Sequence, residues 1–360
     1  MVTSRRRRRG SLLGACVAST LVGGWLSACG QPSAPLEQIK YPEPAITERI
    51  TFANDVLTRV LARDYLSLDT LARELRSGKA RFPGGEWKLR WFYVAFSQLG
   101  ASRSWYPVPL LGESTDWNEV RSRLEEWRDQ MPESITPRVA LAQYWIAYAW
   151  EARGTAFANK VRDEQWALFE ERLNESAKVL AEARRLEEKC PEWWFAAQRI
   201  ALGQGWERRR VSKLMEEAVT FEPEYYTFYS ALAYHFAPRW HGRPGDWNKE
   251  ISRWIERLGA PNGDVVYARV LWALRDLGLT DEVFERKEVD WDRAVRGFVA
   301  LRRQHPDSLE VVSMFAFLSG TARDRAQARA LMASIGNRMD RGVWRNQKQF
   351  DSYRIWVPSR

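Results

Sequence analysis

Two imidazoles and two carboxylates lie within a sixteen-residue segment: His235, His241, Asp246 and Glu250. Such a set could ligate a divalent cation, or pair a general base with an acid. The steps between them match no metal-binding or catalytic motif, and His235 adjoins Phe236 on an apolar helix stripe. No metal, cofactor or catalytic residue is therefore expected here. Elsewhere the chain has no phosphate-cradling glycine loop, no paired-cysteine motif and no Gly-x-Ser-x-Gly elbow. The clusters Glu125-Glu126, Glu170-Glu171, Glu187-Glu188 and Glu216-Glu217 alternate with arginines, as solvated helix faces do. Cys190, just before Pro191 at a helix junction, reads as a buried thiol rather than a nucleophile.

Tryptophan is the other anomaly, with 19 in the chain. An indole offers a rigid flat face and one donor, which suits sugars or peptides as well as a core. Trp91, Trp127, Trp145, Trp254 and Trp272 all fall on apolar stripes and are assigned to the core. Trp240, inside Pro238-Arg239-Trp240-His241-Gly242, belongs to no stripe. Arg239, Trp240 and His241 are accordingly the candidate partner-binding residues.

The elements that must hold that loop are helices. Val211, Met215 and Ala218 share one helical stripe, and Pro223 ends it. After a turn, Tyr229, Leu232, Ala233 and Phe236 form the next stripe, so the two helices make an αα-hairpin. Ala294, Phe298, Leu301 and Pro306 repeat the first set of offsets, and a step of 34 then reaches Ala328, Met332 and Ile335. That period is the one found in tetratricopeptide repeats. Residues 207–236 and 290–336 resemble that family in their small–large–small helix, turn proline and following aromatic–Leu–Ala–aromatic helix. The resemblance implies an all-α fold, a TPR-like α-solenoid of antiparallel helix pairs interrupted by the irregular loop Pro238–Asp246. That loop and Leu71–Tyr93 also resemble uncharacterised bacterial proteins with such helices, which supplies no site residues.

The rest of the chain reads as helix pairs. Ile50, Ala53, Val56, Leu57, Val60 and Leu61 line a first helix, and a second from Ser67 stops at Gly78. Arg81–Gly85 is a loop and Ala101–Thr115 a longer non-helical stretch. Asp116 with Glu119 forms a capping pair, Thr136-Pro137 starts a helix, and Asp163–Lys189 is one long helix. The aromatic tail, with Trp344, Phe350, Tyr353 and Trp356, should cap the last hairpin.

At the other end, Arg5–Arg9 precede a short apolar run that ends Leu26-Ser27-Ala28-Cys29. This resembles the lipobox of bacterial lipoproteins, which implies cleavage before Cys29 and its lipidation. The resulting division is a signal peptide at 1–28, a proline-rich tether at 29–44 and a repeat domain at 45–360. The formal charge of +9 falls to +4 once the five leader arginines are removed. That leaves no concentrated basic face for nucleic acid. The expectation is a non-enzymatic scaffold in the bacterial cell envelope that binds other envelope proteins. Lipid on Cys29 would hold it to the membrane, and Gly30 in place of aspartate favours the outer membrane facing the periplasm. The alternative is an envelope enzyme or glycan-binding module using the His235–Glu250 region and exposed tryptophans. If Cys29 carries the anchor, a fatty-acid probe labels the wild type, while Cys29→Ala is unlabelled and leaves the membrane fraction.

Overall fold

Hydrophobic spacing along the chain makes helices almost everywhere, and their burial sorts them into two kinds. The computed structural model describes residues 45–97, 116–344 and 346–356. The leader, the tether with Cys29, and the Ala101–Thr115 stretch lie outside the described residues. One compact unit runs over Pro42–Arg360. Its described helices begin with α1 (Ala45–Leu61), α2 (Tyr65–Gly78), α3 (Lys88–Ser97), α4 (Trp117–Gln130) and α5 (Ile135–Arg153). The chain continues with α6 (Asp163–Arg185), α7 (Pro191–Gln204), α8 (Arg208–Phe221), α9 (Thr227–His235) and α10 (Asp246–Leu258). It finishes with α11 (Asn262–Asp276), α12 (Thr280–Glu285), α13 (Trp291–Gln304), α14 (Leu309–Thr321), α15 (Arg325–Ile335) and α16 (Gln347–Trp356). The fold is all-α: among the described residues the only extended pairing is an isolated bridge between Arg81 and Trp87.

Helices α3, α5, α7, α9 and α11 pack each on the next and form an inner row. Outside it, α6 sits against α5 and α7, α8 against α7 and α9, and α10 against α9 and α11. Residue type follows the layer. Inner α5 is buried nearly all round, whereas outer α8 buries a single stripe of Val211, Leu214, Met215, Ala218 and Val219. The repeating positions Ala294, Phe298, Leu301, Ala328, Met332 and Ile335 are likewise inside. Ala218, Ala233, Ala294 and Ala316 are fully enclosed. Gly297 is tighter still, because a Cβ there would overlap the Asp264 carbonyl of α11.

Boundaries differ from the sequence expectation where a side chain found a better partner. Ser134, not Thr136, caps α5, with its hydroxyl accepting from the Thr136 amide at 3.1 Å. Thr136 is buried instead and accepts from Arg76 at 2.9 Å. At α4, Asp116 accepts from the Asn118 amide at 2.9 Å. The left-handed residue after α2 is Lys79 at φ 49°, one position beyond the expected Gly78. Helix α6 stops at Arg185, because Leu186 is extended and the chain must turn to place Pro191 in the first turn of α7. Six-residue α12 was too short to show a period. At the C-terminus Trp344 and Phe350 are buried, and the Tyr353 hydroxyl donates to the Ala316 carbonyl of α14.

Close packing makes opposite forecasts for two glycines. In an exposed helix Gly→Ala gains up to about 1 kcal/mol. Gly297→Ala should instead destabilise by about 1–3 kcal/mol, as should Ala294→Leu, since neither site has room. Gly78→Ala, where a Cβ meets nothing within 4 Å, should be neutral or stabilising. Chemical denaturation of the three variants checks the ordering.

Candidate functional site

The loop expected at Arg81–Gly85 extends to Trp87, one residue into the expected next helix, and it is built into the middle of the fold. Trp87 is 1 % exposed, meets the Tyr225 ring edge-on at 5.0 Å, and donates from Nε1 to the Glu224 carbonyl at 3.3 Å. Arg269 of α11 donates to the Gly84 carbonyl at 2.8 Å and lies over the Tyr226 ring. Beside the loop is Arg49 of α1, 2 % exposed. Its two Nη atoms donate to Glu310 of α14, Nη1 at 2.7 Å, while its Nε stands 2.7 Å from Glu86. Burial works against the Arg49 charge, yet the two carboxylates hold its pKa above the ordinary value. Glu86 is pushed up by burial, with Arg49 opposing the shift. Asp340 is raised to about 6 by burial and by the nearby Glu310 charge.

Against this hub opens a cleft of about 460 Å³. Helix α7 turns Phe195, Gln198, Arg199 and Leu202 into it, and α9 contributes Thr227, Ser230, Ala231 and Tyr234, with Tyr226 just before its start. Both sets step by three and four residues, so each is one helix face left uncovered by neighbours. Arg90 and Trp91 enter from α3, Asp276 from α11, Trp150 from α5 and Trp240 from the loop after α9. Tyr226 also lines a second cavity of about 300 Å³, with Arg81, Arg269 and His305.

Arg90 and Arg199 of the cleft are linked through Gln143 and Glu192, a fully buried carboxylate at the start of α7. Glu192 accepts from the Tyr225 hydroxyl and from Gln143 Nε2 at 2.9 Å, and stands 3.3 Å from Arg90. Burial raises its pKa, with Arg90 opposing. Arg90 also lies over the Phe195 ring, 4.4 Å from its centroid. Arg199 donates to Gln143 Oε1 at 3.3 Å, and no carboxylate among the described residues pairs with it. Burial, then the Arg90 charge, draws the Arg199 pKa down to about 10 against the pull of Glu192. Arg199 is half-buried in the cleft wall, and a partly desolvated guanidinium with no directly paired carboxylate is costly unless something else supplies one.

The candidates from the 235–250 segment separate. Trp240 faces the cleft, perpendicular to Trp150 at 5.5 Å and beside Tyr234 at 5.6 Å. Arg239 is exposed and donates to the Leu277 carbonyl at 3.3 Å. His241 lies away from the cleft walls, with Nε2 2.8 Å from the Leu202 carbonyl oxygen. His235 and His241 do meet, at 4.7 Å between rings. Asp246 and Glu250 instead face Arg208, the former at 2.8 Å. Among the described residues no group of three or more His, Cys, Asp and Glu is placed to hold a metal ion. Cys190 is buried, its Sγ 3.6 Å from the Tyr93 hydroxyl, and burial raises the thiol pKa. Trp127, Trp254, Trp272 and Trp91 are in the core, and Trp145 is half-buried against it.

Arg90 and Arg199 were not picked out from sequence, where arginines on helices read as solvated. The one available signal was that Arg199 shares the α7 stripe of Phe195 and Leu202.

Residues 102–204 match the model of a domain of unknown function, DUF4034. The matched stretch includes Gln143, Glu192 and Arg199 and carries no functional assignment with it. No curated protein and no solved structure matches the chain.

The His235 environment makes a pH forecast. Its imidazole pKa is drawn down to about 4 by burial and then by His241. A depressed histidine stabilises the fold while neutral in both states, and that stability is lost as pH falls from about 6.5 through 4. Asp340, raised to about 6, acts in the opposite sense over part of this window. The test is therefore a difference: from pH 7 to 4, wild type should lose up to about 3 kcal/mol more stability than His235→Leu. Parallel denaturation curves for the two across that range would refute the assignment.

Proposed function

We propose that this is a lipid-anchored cell-envelope protein that binds a partner through TPR-like helical repeats, with the α7–α9 cleft as the receiving surface. The observation that carries this reading is the uncovered inner face shared by α7 and α9, where aromatic walls surround a guanidinium lacking a protein counter-ion. Large aromatic residues and arginine are the side chains that most often dominate recognition surfaces. The envelope address rests on the Leu26-Ser27-Ala28-Cys29 resemblance. No helix among the described residues is long and apolar enough to cross a membrane. The anchoring role proposed for lipid on Cys29 rests on the same sequence resemblance. The segment 30–44 would serve as the tether. A glycan is the second reading, favoured by Trp91, Trp150 and Trp240 in the walls, since indole faces stack on sugar rings. An enzymatic role in the 235–250 segment has less support, because both its carboxylates are engaged by Arg208.

A photo-crosslinking residue placed at Tyr234, in the cleft, or at Glu216, on the exposed face of α8, separates these faces in the living envelope. The expected result is a discrete protein adduct from Tyr234 and none from Glu216. Adducts from Glu216 alone would move the binding surface to the outer layer. Adducts from neither, together with tryptophan quenching by peptidoglycan fragments, would favour the glycan.

A further inference from the structure

We propose that the Arg199 region of the cleft binds the carboxylate of a ligand that carries an apolar or aromatic group beside it. This rests on the reading of the cleft as the binding site and names what it recognises. Charge counting favours a single negative charge. Two cleft arginines, Arg90 and Arg199, face the single buried carboxylate Glu192, which contacts Arg90 at 3.3 Å and reaches Arg199 only through Gln143, while Asp276 is paired with Arg275 at 2.8 Å; one positive charge is thus in excess around Glu192. A dianion would also meet the Glu86 and Asp276 carboxylates in the same cleft. The planar guanidinium offers a two-pronged fork that matches a carboxylate. Its orientation is set in advance, because Gln143 holds Arg199 and is itself held by Glu192. Phe195, Tyr234 and Trp240 then supply apolar wall for the adjoining group. A cleft of about 460 Å³ is at the small end of ligand pockets and suits a body of a few residues at most.

The test titrates the full-length protein, by calorimetry, with N-acetyl-phenylalanine and its carboxamide, and with a short peptide ending in phenylalanine as free acid and as amide. At least one free acid should bind about tenfold or more tighter than its amide, because the amide cannot neutralise Arg199. Binding of both acids would indicate a small acid, and binding of the peptide acid alone would indicate a chain terminus. Arg199→Gln should abolish the acid's advantage while leaving the unliganded protein folded, since Arg199 is half-buried and no carboxylate contacts it directly. Should Arg199→Gln not fold, Arg199→Lys, which keeps the charge and loses the fork, should weaken the acid several-fold and not the amide. Equal affinity for acid and amide, no binding by either acid, or an advantage that survives Arg199→Gln would overturn the proposal. Crosslinking from Tyr234 that persists in Arg199→Gln would show a cleft that binds through its apolar walls alone, which separates failure of this inference from failure of the cleft itself.

Discussion

A single buried arginine joins the first described helix to one near the end of the chain. Arg49 in α1 and Glu310 in α14 are 261 residues apart, and their side chains meet through both Nη atoms of the arginine. The same guanidinium reaches Glu86 at the edge of the inner loop. Placing such a charge in the interior is costly, and only good geometry with more than one partner recovers the cost. Removing one partner from a buried pair typically costs about 3–5 kcal/mol, so the interaction is a strong constraint on register even if its net contribution is small. Phe82 and Trp91 flank the guanidinium, 5.9 and 5.8 Å from its centre, and keep water from competing.

That constraint determines what the inner row of helices can offer. With α1 tied to α14, the Arg81–Trp87 loop is held between them, and Trp87 and Gly84 reach the Tyr225 ring and Arg269. The inner surface near the loop is thereby partly occupied by the chain itself, leaving the cavity of about 300 Å³ beside Arg81 and Gly85. The cleft of about 460 Å³ lies on the stretch of α7 and α9 beyond Tyr226, with Trp150 and Trp240 in its walls. Its polar floor follows the same logic as the hub: Glu192 is tolerated at zero exposure because Tyr225, Gln143 and Arg90 all address it.

The fold class and the helix pairs were legible in the sequence because their cause is local. An apolar stripe such as Val211–Met215–Ala218 and a breaker such as Pro223 act within one turn of where they stand. Trp240 belongs to no helix stripe in the sequence, and it faces the cleft. What escaped notice depends on partners far away in sequence. Nothing near Arg49 announces Glu310, and RFPGG gives no sign of being an interior plug. His241 and Asp246 looked like one constellation because they are close in sequence. Arg208, from a different helix, takes the carboxylates, while the two histidine rings meet and His241 Nε2 lies against the Leu202 carbonyl. Arg199 follows the same rule: a charged residue on a helix reads as solvated until the neighbours that half-bury it are known.

The most direct test of this account is hydrogen exchange on wild type and Glu310→Gln. If the Arg49 junction organises the interior, faster exchange in the variant should appear in α14, in α1 and the 81–97 segment, and in α9 and α11, which the loop braces. If exchange rises in α14 alone, the two ends merely touch, and the loop and cleft owe their arrangement to the helix stacking around them.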